Sequence, residues 1–219
     1  MTAELPRLAR AGDRHPWDWY VEEPWVTHRL IDHVPFAAEE TILDPACGLC
    51  HIPTAFAARG FRAFGTDREQ RTDSPLFFAE HDWLGDQALL IEHLRPLSIV
   101  MNPPFSYQDG RLVRGLAEAF VRRALGIATH KVAALLPLKW LASQSRCALF
   151  TAHPPAVYVL SERPSMPPGD QLAALGDRAY AHGKVDYAWF IWDKLWPNTD
   201  GARIHWIAPR SAEQLAEAA

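Results

Sequence analysis

At 219 residues the chain has the length of one generous globular domain, and 48% hydrophobic with 22% charged residues gives it the material for a real core. A net charge of −4 and a pI near 6.2 exclude a uniformly basic nucleic-acid binder, so any such partner has to be met by a local patch. The lack of an apolar run near the roughly 18 residues of a membrane span, an N-terminus without a secretory apolar stretch, and three cysteines with two only three positions apart together predict a cytoplasmic, reduced, non-membrane protein.

Residues 1–16 are polar and are expected to be a flexible N-terminus. From Pro24, "PWVTHRLIDHV" places Trp25, Leu30, Ile31 and Val34 near one helical face, with proline where a first turn tolerates it. "TILD" is a short strand that stops at Pro45, "HIPTAFAARG" a helix closed by Gly60, and "RAFGTD" a second strand. "LSIVMNPPF" is a third strand, broken by two prolines, and "RLVRGLAEAFVRRALGIA" an amphipathic helix. "KVAALLPL" reads as a buried strand and "SRCALFTA" as a short helix. "AVYVLSE", "DYAWFIW" and "ARIHWIA" are late strands, with Trp189, Phe190 and Trp192 as core. This order predicts an α/β domain over 17–210, with helices on both faces of a mostly parallel sheet and an antiparallel hairpin at one edge. Residues 211–219 read as a polar tail.

In such a sheet, ligands bind beyond the carboxyl ends of the strands, where the strand order reverses. The loop "DPACG" after the first strand falls there. It has too few glycines for a dinucleotide fingerprint and no Gly-Lys-Ser/Thr for a phosphate loop. Cys47-Gly48-Leu49-Cys50 also has the spacing of a redox pair or half a zinc site, but zinc needs two more ligands and only His51 is adjacent, so no metal is expected. A ligand with a sulfonium, a ribose and an amino-acid tail needs a tight turn and two carboxylates. Asp44 and Asp67 supply these, with Asp82 and Trp83 placed for a purine. That set describes S-adenosylmethionine. Together with Asp67, the loop resembles the first two motifs of class I S-adenosylmethionine-dependent methyltransferases, with Cys50 at the position of their last glycine. The resemblance implies a Rossmann-like fold with a seven-stranded type of sheet, and cofactor contacts from Tyr20, Asp44, Pro45, Ala46, Cys47, Gly48, Asp67, Asp82 and Trp83.

"IVMNPPF" carries the most specific chemistry. The lone pair of an aromatic amine is delocalised into its ring, and acceptors on both N–H bonds pull the nitrogen towards tetrahedral geometry. Asn102 offers one acceptor and the Pro103 carbonyl the other; Pro103 and Pro104 stiffen the turn, and Phe105 gives the base a flat apolar face. Asn102 to Phe105 resembles the motif of amino-methyltransferases, in the form most typical of adenine-N6 enzymes; a related form methylates the glutamine amide of release factors. "DWYVEEPWVTHRLID", "LLPLKWLASQSRCALF", "VYVLSERPSM" and "DYAWFIWDK" resemble segments of small phage and prophage DNA adenine methyltransferases, over roughly residues 17–194. This implies DNA as partner, probed through a flipped base. Ser106, Arg111, Lys139 and Arg163 are the expected nucleic-acid contacts. RNA adenine and a protein glutamine amide stay open as substrates, as do monomer and homodimer.

Overall fold

A computed structural model describes residues 15–85, 94–181 and 183–216. Among the described residues ten strands form: β1 Thr41–Asp44, β2 Arg62–Asp67, β3 Phe77–Glu80, β4 Leu97–Met101, β5 Tyr107–Gln108, β6 Arg111–Leu112, β7 Lys131–Pro137, β8 Ala156–Leu160, β9 Tyr187–Asp193 and β10 Arg203–Ile207. The helices are α1 Pro24–His33, α2 His51–Ala57, α3 Leu116–Ile127, α4 Cys147–Ala152, α5 Leu172–Leu175 and α6 Ala212–Ala216.

Eight strands make one sheet in the order β10-β8-β9-β7-β4-β1-β2-β3, while β5 and β6 form a separate antiparallel hairpin. All pairings in the large sheet are parallel except those of β9, which runs against both β7 and β8. The α/β plan with antiparallel late strands therefore follows the sequence pattern, with two differences of detail. The antiparallel strand lies inside the sheet, because β10 adds a further parallel strand beyond β8. The far edge carries β3, which the sequence pattern hides: it is four residues long and half exposed, with Phe78 67% accessible.

Strands β1, β4 and β7 are buried along their whole length, as central parallel strands covered on both faces must be. Alternation sorts their side chains. Leu43, Ile99, Met101, Val132, Ala134, Leu136 and Phe190 face α3 and α4; Ile42, Val100, Ala133, Leu135, Trp189 and Ile191 face α1 and α2. The helices answer with stripes, Val26-Leu30-Val34 on and just past α1 and Leu116-Phe120-Ala124 on α3. Trp189 and Trp192 are core as expected, each donating its indole N–H, to Val26 O and His153 O.

At the amino ends of the strands sits a buried ionic cluster. Glu40, fully buried, accepts from Lys131 Nζ at 3.1 Å, from the Ala37 N–H at 2.8 Å and from the Ser98 hydroxyl. Lys131 also lies 3.6 Å from Asp193. The expectation of a flexible N-terminus falls, for residues 1–14, outside the described residues. His15 is buried and the Pro16 carbonyl accepts from the Gly110 N–H at 2.9 Å, so order reaches into that segment. The polar tail includes α6. Among the described residues no helix is long and apolar enough to cross a membrane.

Candidate active site

Between β1 and β4 the strand order reverses: the chain leaves β1 for β2 and β3 on one side and returns to β4 on the other. Parallel strands fan apart there, and the loops beyond them leave a crevice. Asp44 ends β1, Asp67 ends β2 and Asn102 follows β4, so three residues far apart in sequence stand around one cleft.

Asp44 is 1% exposed and accepts the Ala46 N–H at 3.0 Å. Burial pushes its carboxyl well above the usual range, and the neighbouring Glu22, Cys50 and Asp67 push it further the same way. Asp67 accepts the Gly48 N–H at 2.9 Å, which clips the loop after β1 to the end of β2. Its carboxyl is also raised, by burial first, with the Gly48 N–H and Arg71 opposing. Glu22 also lines this cleft, buried like Asp44, and its carboxyl is raised by burial as well.

The loop itself is a tight turn. Gly48 has φ +48°, and a Cβ there would lie 2.9 Å from Trp19 Nε1, so both conformation and space ask for glycine. Cys50 has φ 63° and ψ 30°, the left-handed region that costs a side-chain-bearing residue roughly 1–2 kcal/mol. This is where the resembling family has its last glycine. The turn is closed by the Cys50 N–H donating to Cys47 O at 2.7 Å, and the fully buried Cys50 thiol beside Cys47 holds the Cys47 thiol pKa up while its own is drawn down. Both cysteines are free, and no metal-binding cluster occurs among the described residues.

A strap made by residues 15–22 crosses the cleft. Asp18 accepts the N–H groups of Ser106 at 2.5 Å and Tyr107 at 2.7 Å; Trp19 O accepts from Gly169; Val21 donates to Pro167 O. Arg71 lies 4.4 Å over the Trp19 ring and Arg68 5.1 Å over Trp17. Tyr20 is anchored by a hydrogen bond from the His15 N–H to its hydroxyl at 2.9 Å.

Asn102 donates both hydrogens of its amide, to Tyr20 O at 3.0 Å and to Glu22 Oε2 at 2.9 Å. Among the described residues no donor reaches its Oδ1. Pro103 is buried, and the turn Asn102-Pro103-Pro104-Phe105 divides the cleft from a second cavity. Asn102 and Pro104 face the first space; Phe105 and Ser106 line the second, and Tyr20 lines both. The second cavity holds about 950 Å³. Its aromatic walls are Tyr20, Phe105, Trp140 and Tyr187, with the Phe105 and Tyr187 rings 6.2 Å apart. Its charged lining residues are Lys139, Arg146, Arg178 and Lys184, and no acid joins them among the described residues. Arg146 is fixed by a bond to Trp140 O at 2.7 Å and by stacking on that indole.

All the residues expected at the cofactor come together: Tyr20, Asp44, Pro45, Ala46, Cys47, Gly48, Asp67, Asp82 and Trp83 line the cleft. Trp83 is buried and donates to Phe120 O, and Asp82 accepts the Leu84 N–H. Of the expected nucleic-acid contacts, Ser106 and Lys139 line the second cavity. Arg111 sits exposed on β6, and Arg163 is paired with Asp186 at 2.6 Å; neither lines either space. Sequence reasoning missed Asp18, Glu22, Tyr187, Arg146, Arg178 and Lys184.

No family model and no curated protein matches this chain. Solved structures do match in fold. A type I restriction-modification methyltransferase subunit from Streptococcus thermophilus is 13% identical with a TM-score of 0.51, over 80% of this chain and 45% of that one. A modification subunit assigned to a type I restriction enzyme from Vibrio vulnificus YJ016 gives 13% and 0.53, over 93% and 49%. The 23S rRNA methyltransferase ErmE gives 14% and 0.52, over 82% and 71%. The fold is thus the Rossmann-like fold of these methyltransferases, and the chain spans about half the length of the two restriction-system subunits.

Proposed function

We propose that this protein transfers a methyl group from S-adenosylmethionine to the N6 amino group of adenine in DNA. The observation that carries the reading is the Asn102 amide, held at the partition between two cavities with both hydrogens used and its oxygen left as acceptor. The cofactor fits the cleft by charge. Glu22 and Asp44 are buried together with no lysine or arginine paired to either among the described residues, and the sulfonium and ammonium of S-adenosylmethionine bring positive charge to that place. The free space of about 90 Å³ is below the roughly 300–1,000 Å³ of ordinary ligand pockets, so the cofactor needs more room than the ligand-free cleft offers.

When bound, the cofactor supplies a methyl group on a sulfonium, electrophilic enough to need no prior deprotonation of the amine. The chain supplies orientation. Asn102 Oδ1 and the Pro103 carbonyl accept the two N6–H bonds and draw the nitrogen lone pair out of conjugation. The proton lost after transfer leaves to solvent. Phe105 and Tyr187 give the purine apolar faces. A cavity walled by four cations, with no acid among the described residues lining it, favours a polyanion over a protein glutamine amide and supports neutralisation of the phosphates that flank an extruded nucleotide. The likeness to ErmE keeps RNA adenine as the second reading.

The test is transfer from labelled S-adenosylmethionine to unmethylated duplex DNA and to RNA, followed by nucleoside analysis. N6-methyladenine from DNA is the expected product. Asn102→Ala is expected to lower transfer at least about 100-fold while the cofactor-induced thermal shift persists. Retained activity in that variant refutes the assignment.

A further inference from the structure

Glu22 is a costly residue where it stands. It is 6% exposed, it shares its cleft with Asp44 and Asp67, and it forms no ion pair with a lysine or arginine among the described residues. Leaving a carboxylate in such a place disfavours the folded state unless its hydrogen bonds return the loss. Its Oε2 takes one hydrogen of the Asn102 amide at 2.9 Å, and the Tyr20 carbonyl takes the other at 3.0 Å. The segment that delivers it is pinned on both sides, by His51 Nδ1 against the Glu22 carbonyl at 2.9 Å and by the start of α1 at Pro24.

Both groups facing Asn102 are acceptors. Nitrogen, not oxygen, therefore has to point at them, and a half-turn of the amide would break two hydrogen bonds and set Oδ1 against a carboxylate. Donation to the Glu22 carboxyl oxygen also polarises the amide and makes Oδ1 the stronger acceptor. We infer that Glu22 is a positioning residue that locks the Asn102 side chain with its oxygen turned to the target amine. The inference rests on the proposed reaction for its purpose, but the lock itself is observable without turnover.

The sequence contains two asparagines, Asn102 and Asn198. Protein labelled with ¹⁵N-asparagine therefore shows two side-chain NH₂ pairs by NMR, and Asn198→Asp assigns them. In the wild type the Asn102 pair is expected to exchange with water at least about tenfold more slowly than the Asn198 pair, because both of its hydrogens are bonded at 2.9–3.0 Å whereas Asn198 makes one long bond, to Pro154 O at 3.4 Å. Glu22→Met, similar in size and without an acceptor, brings the two pairs within about threefold; Glu22→Gln keeps an acceptor and most of the protection. In parallel, at saturating S-adenosylmethionine, kcat for methyl transfer falls about 10- to 100-fold in Glu22→Met with KM for DNA within threefold of wild type, and Glu22→Gln recovers most of it. Should Glu22→Met fail to fold, Glu22→Gln and the wild type still decide. A wild-type Asn102 pair as labile as Asn198, or equal protection with and without the acceptor, overturns the inference. A locked amide in a protein that methylates no adenine instead refutes the proposed reaction and leaves the lock standing.

Discussion

Asp44 is well suited to separating binding from folding, because the structure makes the two respond in opposite directions. Asp44→Asn is isosteric and keeps an oxygen for the Ala46 N–H. It removes a negative charge from a place where burial, Glu22 and Asp67 all resist it. The folded-state pKa is raised, so the stability linked to this group is fully present below the ordinary carboxylate range and is lost as pH rises through the folded value. At neutral pH the ligand-free variant is therefore expected to melt at or above the wild-type temperature, and to lose part of the wild type's gain on acidification. Cofactor binding moves the other way. A charge-assisted contact to the ammonium contributes about 2 kcal/mol, so its loss weakens affinity about 30-fold. Cofactor at about 100 times the wild-type Kd stabilises by about 2.7 kcal/mol, or about 5–11 °C for a chain of this size. The same concentration is only about three times the variant's Kd, for about 0.8 kcal/mol and 2–3 °C. Differential scanning fluorimetry with and without S-adenosylmethionine reads both quantities. A variant that melts lower without ligand, or keeps the full ligand shift, refutes the charge argument.

Two further outcomes follow from other parts of the molecule. Arg178→Ala with Lys184→Ala should weaken DNA binding in a titration across salt concentrations and reduce the salt slope by about two, since each phosphate contact contributes close to 0.9; an unchanged slope removes these residues from the phosphate path. Lys131→Met strands Glu40, and breaking a buried pair costs about 3–5 kcal/mol, a fall of about 6–20 °C in Tm by calorimetry. Adding Glu40→Gln to that variant should return most of the loss, and no recovery would show that packing, not charge, dominates there.

The parts of the site that lie at strand ends were legible in the sequence, for a definite reason. A buried strand shows itself by its apolar run, and the residue that breaks the run must lie at the sheet's edge; Asp44, Asp67 and Asn102 are all of this kind. The cofactor-loop reading of Cys47 and Cys50 rested on the same logic. Glu22 and Asp18 left no such signal. They act across 80 and 88 residues from a segment without regular structure, and no local pattern encodes a partner that distant. Arg178 and Lys184 lie between β8 and β9, where no period orders the side chains, so nothing in sequence separated them from Arg163, whose charge is taken up by Asp186. Tyr187 hid in a strand read as core; it is core on one side and cavity wall on the other.

The span of these bonds also governs how the protein comes to be. Asp67 reaches back 19 residues to Gly48, Glu22 reaches forward 80 to Asn102, and Asp18 reaches 88 to Ser106. No helix or hairpin can build that site on its own, and each closure has its loop entropy to overcome before any contact returns it. The complete centre therefore forms only when the ends of β1, β2 and β4 and the strap of residues 15–22 are assembled together, so a ligand that contacts all of them stabilises that assembled state and slows its unfolding.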